Sequence, residues 1–294
     1  MRTRLRLRGH SLELGSRPLL MGIVNAAPDS FSDGGEHPTL ESRVALGAAL
    51  VEAGADLLDV GGESARGDTA AVRAREEVER VVPLISRLTG LGALVSVDTY
   101  KPAVAAAAIE AGAVLVNDTS GLRDRALADV CARTGAGLVV MHTRVAPKGT
   151  LLDPARYDDV MADVVGFLRE RIAIALAHGV DAEQLLLDPG PDFAKTPAQT
   201  VAVLQRLADL RELGRPLLLA ASNKDFVGAL TGRAPRERLA GTLAAVVHGV
   251  EAGADVLRVH DVAAVADFLR VRAALRGDYE LAPDEGLTPE RYPR

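Results

Sequence analysis

The stretch ALVSVDTYKPAVAAAAIEAGAVLVND (93–118) decides the fold. Residues 93–99 and 114–118 are near-continuous apolar runs of strand length, and 101–111 between them carries helical spacing. Apolar runs without polar alternation belong to strands covered on both faces. Two such strands joined through a helix pair in parallel with a right-handed crossover. The same unit repeats outward in both directions. Further strands are predicted at LLMGIVN (19–25), DLLDVGG (56–62), GLVVMH (137–142), QLLLDPG (184–190), PLLLAAS (216–222) and DVLRVHD (255–261). Helical spacing falls at 40–54, 72–89, 124–134, 155–179, 198–212, 235–252 and 262–275. Eight strands alternating with eight helices predict an α/β fold of the TIM (β/α)8 barrel type.

Two half-size domains would need a linker near the middle. RVAPKGTLLDPARYDD (144–159) is short, follows a strand end and reads as a barrel loop. One domain is therefore expected over 1–294, with the barrel at about 18–276. Residues 4–15, RLRLRGHSLELG, alternate around Gly9 and predict a hairpin that plugs the barrel's bottom. The tail DYELAPDEGLTPERYPR (278–294) is polar and Pro-containing, and is expected to be loosely held.

A net charge of −6 offers little of the clustered Lys and Arg that a phosphate backbone requires, so nucleic acid is not expected as a partner. The basic N-terminus lacks the apolar region of a signal peptide, and no apolar run reaches the roughly 18 residues of a membrane span. A cytoplasmic protein is the expectation. The one cysteine, Cys131, excludes an internal disulfide and falls in a helical run, as a packed core residue would.

Polar residues gather where the predicted strands end: Asn25, Glu63, Asp98, Asn117 with Asp118, His142, Asp188, Ser222 with Lys224, and Arg258 with His260. In a barrel these converge on the C-terminal face, where active sites of this fold sit. Asp98, Asn117 and Asp188 suit a flat heterocycle rich in N–H donors, because a carboxylate accepts two such bonds at once. Arg258, His260 and Arg66 suit phosphate or diphosphate. The chain has no glycine-rich nucleotide loop, no HExxH and no Cys cluster, so zinc is not expected. A Mg2+ bridging Asn25 and a diphosphate is compatible with the preference of that ion for few protein ligands plus phosphate oxygens. The Gly/Ser/Asp-rich loop NAAPDSFSDGGEH (25–37) predicts a flap over substrate, with Phe31 as its apolar contact.

These motifs carry a resemblance. MGIVNAAPDSFSDGG, GADLLDVGGESAR, VSVDTYKPAVA, AGAVLVNDTSG, VVMH, LLLDPGPDFAKT, ASNKDFVG and LAGTLAAVVHGVEAGADVLRVHDV, in order over about 18–275, are similar to dihydropteroate synthase. That resemblance implies a homodimeric TIM barrel that condenses 6-hydroxymethyl-7,8-dihydropterin diphosphate with an aromatic amine, p-aminobenzoate, and releases diphosphate. It implies that Asp98, Asn117, Asp188 and Lys224 hold the pterin, with Met141 and Ser222 also lining the substrate site. Asn25, Arg258 and His260 would hold the diphosphate, with Mg2+ near Asn25 and Asp29. Phe31, Asp33 and Arg66 would belong to the two loops that form the aminobenzoate pocket, with Phe193 as one wall. Asp98, Lys224, Arg258, His260 and Asp33 would take part in a dissociative reaction through a pterin methylene cation.

The aminobenzoate positions depart from the family pattern. Ala27 and Ala65 stand where it usually has Thr, and Gly67 where it has Pro, which bears on the sulfonamide response. Ser222-Asn223-Lys224-Asp225 replaces Ser-Arg-Lys-Ser, whose second Ser, at a helix N-terminus, receives the amine's carboxylate. Asp225 would then either repel that carboxylate or cap its own helix and point aside. Two functional readings follow: an authentic synthase, or a pterin-binding paralogue with another amine or without turnover. A corrinoid-dependent methyltransferase pterin domain shares the barrel but does not need PDSFSDGG or the Arg258/His260 pair.

Overall fold

The computed structural model describes residues 4–15, 17–27, 37–64, 70–280 and 282. A two-stranded antiparallel hairpin, β1 (Arg4–Leu7) and β2 (His10–Glu13), precedes the barrel. The barrel strands are β3 (Leu19–Asn25), β4 (Leu57–Gly61), β5 (Val95–Asp98), β6 (Leu115–Asp118), β7 (Gly137–Met141), β8 (Leu185–Asp188), β9 (Leu218–Leu219) and β10 (Val256–Val259). They lie parallel in the order β8-β7-β6-β5-β4-β3-β10-β9. A Leu187–Leu217 bridge and a Leu187 N–H donated to Pro216 O (2.9 Å) bring β8 back against β9 and close the ring.

The helices are α1 (Leu40–Glu52), α2 (Ala74–Gly90), α3 (Pro102–Glu110), α4 (Ala126–Thr134), α5 (Val160–Ala177), α6 (Pro197–Gln205), α7 (Asp225–Thr231), α8 (Leu239–Ala252) and α9 (Val262–Arg276). Most start and stop on local chemistry. The predicted helix 155–179 begins only at Val160, because the Asp159 carboxylate caps the N–H groups of Met161 and Ala162. The predicted 198–212 helix breaks at Gln205 into a 3-10 segment, Leu207–Leu213, which ends at Gly214 in the left-handed region. The predicted strand 216–222 keeps only Leu218–Leu219 in the sheet, as the chain from Ala220 onward turns out toward the C-terminal face. The short helix α7 begins at Asp225, where the corner after the seventh predicted strand was expected to open a helix beyond the eight regular stretches.

The two-residue period of each strand sorts side chains into two cores. Leu58 and Val60, Val95 and Val97, Leu138 and Val140, Leu185 and Leu187 face outward and pack under the helices. Met21, Leu57, Leu115, Val139, Leu186, Leu218 and Val256 face inward and form the lower layer with Leu5, Leu7 and Leu14 of the hairpin segment. The hairpin therefore plugs the N-terminal end, and Arg8 N–H fastens it to Gly135 O at 2.7 Å. The next inward position up each strand is two residues on: Asp59 after Leu57, Asn117 after Leu115, Asp188 after Leu186 and Arg258 after Val256. The same period that fills the bottom with leucine thus lines the top with polar groups. Among the described residues, no helix is long and apolar enough to cross a membrane.

Candidate active site

The C-terminal face opens as a cavity of about 560 Å³. Asn25, Asp98, Asn117, Met141 and Asp188 line its barrel side, and Phe193, Ser222, Lys224, Asp225, Arg258 and His260 complete that lining from the loops and β10. Asp29, Phe31, Asp33 and Arg66, with Ala65 and Gly67, lie outside the described residues.

The floor is a charge network. Arg258 donates from Nε to Asp59 Oδ2 at 2.6 Å and from Nη2 to Asp98 Oδ2 at 3.0 Å. Asn117 Nδ2 also donates to Asp59 Oδ2, at 3.0 Å. The Asp59 side chain is fully buried, so this Arg258–Asp59 pair is anchored inside the barrel. Burial pushes the Asp98 carboxyl up to about 7 against the pull of Arg258, with the Asp59 charge adding to the rise. Burial also raises Asp188, whose Oδ1 accepts the Gly190 N–H at 2.7 Å. Burial lowers Lys224 while Asp192 and Asp188 hold it up; its ammonium lies 4.4 Å from the Phe193 ring centre. Ser222 Oγ lies 2.9 Å from His260 Nδ1 and accepts the His260 backbone N–H at 3.3 Å. Two buried acceptors, Asn117 Oδ1 and Asp59 Oδ1, have no hydrogen-bond partner within the described residues.

Two strand-end residues turn away from the cavity. Asp118 spends its carboxylate on the N–H groups of Ser120 and Leu122. His142 is fully buried against the Phe167 edge, between Asp163 (Nε2 to Oδ2, 2.9 Å) and the Lys195 ammonium (2.7 Å from Nδ1). Lys195 also donates to Gly190 O (2.9 Å) and Phe193 O (3.1 Å), which ties down the loop after β8. Gly190, at φ +64°, is required there: a Cβ would fall 2.2 Å from His142 O. Burial lowers Lys195 to about 7 and His142 to about 4. Cys131 is buried, and burial pushes its thiol up to about 12, consistent with a packing role.

Asp225 does not cap its own helix, and its carboxylate points aside. It occupies the first turn of α7, with Lys224 as the N-cap residue, and its carboxylate makes no capping bond to the helix end. That carboxylate is 84% exposed and meets Arg238 Nη1 at 3.1 Å. The helix end is occupied by another residue. Asp192 Oδ2 accepts the Asp225 N–H at 2.6 Å and the Phe226 N–H at 3.4 Å. Its other oxygen accepts the Thr200 hydroxyl at 3.0 Å. Asp192 and Arg238 line the cavity, and Asp59 and Lys195 support it from beneath through Arg258 and the loop after β8; none of the four stands out in the sequence pattern. A carboxylate inside an apolar run, as in DLLDVGG, was the available signal for Asp59. Among the described residues no group of three His, Cys, Asp or Glu is placed to hold a metal ion.

Comparison with known proteins places this geometry. Residues 21–260 match the family model of the pterin binding enzymes. The chain is 40% identical to the dihydropteroate synthase of Bacillus subtilis over 252 residues, 85% of either chain. Among solved structures it is similar to Xanthomonas albilineans dihydropteroate synthase with 4-aminobenzoic acid, at 46% identity and TM-score 0.86, covering 94% of this chain and 99% of that one. It is also similar to the Yersinia pestis dihydropteroate synthase in a sulfonamide drug complex, at 38% identity and TM-score 0.88, covering 94% and 100%.

Proposed function

The chain belongs to the pterin binding enzyme family, and on that premise we propose that it is a dihydropteroate synthase. It joins 6-hydroxymethyl-7,8-dihydropterin diphosphate to p-aminobenzoate and releases diphosphate. The observation that carries this reading is the buried Asn117 Oδ1, an acceptor without a partner in the described residues, on a cavity wall shared with Asp98 and Asp188. A buried acceptor is costly unless a ligand donor meets it, and a pterin presents amino and ring N–H groups in one plane.

Asp98, Asn117 and Asp188 would take those donors. Arg258 and His260 would face the diphosphate, and the amine would enter beside Phe193. The C–O bond breaks with its electron pair on diphosphate. The amine nitrogen then closes the C–N bond and sheds a proton. The floor carboxylates stabilise the methylene cation between these events, and the cationic residues stabilise the leaving group. Asn25 supplies a neutral oxygen donor at the cavity wall, which would suit Mg2+ beside diphosphate oxygens, with Asp29 as the second ligand that the family resemblance implies. That ion would supply further neutralisation of the leaving group. Assembly as a homodimer, implied by the family resemblance, belongs to the same proposal.

The test is a turnover assay with the pterin diphosphate and p-aminobenzoate, following diphosphate and dihydropteroate together. Amine-dependent release of both is expected. Diphosphate release indifferent to the amine would refute the assignment.

A further inference from the structure

The loop after β7 lies across the cavity mouth, a position that its sequence does not announce. Gly149, Thr150, Leu151 and Leu152 all line the cavity. The loop is pinned on both sides of them. On one side the Lys148 ammonium bonds to the Ser64 carbonyl and sits 3.2 Å from Glu63 Oε1, at the end of β4. On the other, Gln199 Nε2 in α6 donates to Asp153 O (2.9 Å) and Pro154 O (3.2 Å), and the Tyr157 hydroxyl donates to Ala194 O (2.8 Å). In the strand order of this ring, β4 and β8 are four places apart, on opposite sides. The segment 149–152 is therefore a strap anchored at opposite rims. Its Leu152 is 67% exposed, a large apolar side chain at a cavity mouth that the protein leaves uncovered.

We propose that Leu152 is a specificity-determining residue: on the strap held by Lys148, it covers the ring of the incoming arylamine and keeps water from the reacting methylene. This rests on the proposed synthase reaction. When diphosphate departs with the C–O bonding pair, the methylene carbon can be closed by either of two nucleophiles. The amine forms a C–N bond, loses a proton and gives dihydropteroate. Water forms a C–O bond, loses a proton and gives 6-hydroxymethyl-dihydropterin. An apolar cover seals the site against the second outcome, because water loses its hydrogen-bond partners there.

The experiment compares diphosphate released with dihydropteroate formed, at saturating p-aminobenzoate, for the full chain and for Leu152→Ser, Leu152→Ile and Lys148→Met. The unmodified chain and Leu152→Ile should give a ratio near one. Leu152→Ser and Lys148→Met should raise the ratio to about two or more, and raise KM for the amine several-fold while KM for the pterin diphosphate stays fixed. Leu152 is a surface residue, so its variants should keep the fold. A ratio that stays at one in Leu152→Ser overturns the proposal, whatever KM does. An unmodified chain that makes no amine-dependent product overturns both this inference and the functional reading beneath it.

Discussion

At the scale of single residues, charge decides what the cavity can accept. Asp98 sits with its carboxyl raised to about 7 because burial outweighs the nearby Arg258. Above that pH it is an anion that can accept pterin N–H bonds; below it the proton fills an acceptor position and weakens the Arg258 pairing. The value of kcat/KM for the pterin diphosphate should therefore fall about tenfold per unit as pH drops below about 7. Asp98→Asn should lower the plateau and remove that inflection, which a pH–rate profile of both proteins would check. The second charge effect lies at the amine end. Asp192 and Asp225 both line the cavity, but only Asp192 occupies the N–H groups at the start of α7. A substrate carboxylate docking there meets an anion already in place, a repulsion of roughly 1–4 kcal/mol at about 4 Å. Asp192→Asn keeps an acceptor for those N–H groups and removes the charge, and Asn tolerates the positive φ of 64° found there. KM for p-aminobenzoate should fall about fivefold or more in that variant, with KM for the uncharged 4-aminobenzamide unmoved. Asp225→Ser should leave both constants within about twofold, since its carboxylate is solvent-exposed and already paired with Arg238. A steady-state comparison of the two amines on the two variants separates these roles.

At the scale of elements, the loop after β8 and helix α7 show where sequence patterns stop being informative. LLLDPG announced its strand and its turn through an apolar run and Pro-Gly. The same stretch gave no sign that Lys195, five residues past Gly190, goes inward. Its partners are two carbonyls and a histidine 53 residues earlier in the chain, and contacts of that kind leave no periodic trace. Helix α7 is legible only at its start, the Ser222-Asn223-Lys224-Asp225 corner, because two turns closed by Gly232 are too short to build an amphipathic period. Yet these elements carry Asp192 and Phe193 and begin at Asp188 and Lys224, so their rigidity sets the site. Lys195→Met should leave two buried acceptors, His142 Nδ1 and Gly190 O, without their donor, each worth about 1–3 kcal/mol and partly offset by no longer burying a charge. A loss of about 2–4 kcal/mol is expected in urea unfolding. KM should rise for both substrates, because the loop that presents their contacts loosens. A variant that unfolds at the wild-type urea concentration would show that the ammonium does not hold the loop.

At the scale of the whole molecule, stability and function occupy opposite ends of one barrel, and most of that division was legible in the sequence. The eight apolar runs fixed the number and direction of strands because burial on both faces demands them. Asp59 stayed hidden because polar groups gather visibly at the strand ends, whereas it lies inside the run as the inward residue one layer above Leu57. The hairpin was legible because alternation around Gly9 has only one compact outcome. It places Leu5 and Leu7, both fully buried, in the lower inward layer, with the charge network lying above that layer. Leu7→Ala should then cost about 2–5 kcal/mol, through lost apolar contact and the cavity left behind. Because the plug shares no residue with the cavity lining, kcat/KM of the folded fraction should stay at the unmodified value. Denaturant unfolding followed by assay at a temperature where the variant remains folded would check both halves. A large drop in kcat/KM with stability unchanged would mean that the two ends of the barrel are coupled, and that the hairpin belongs to the site as well as to the core.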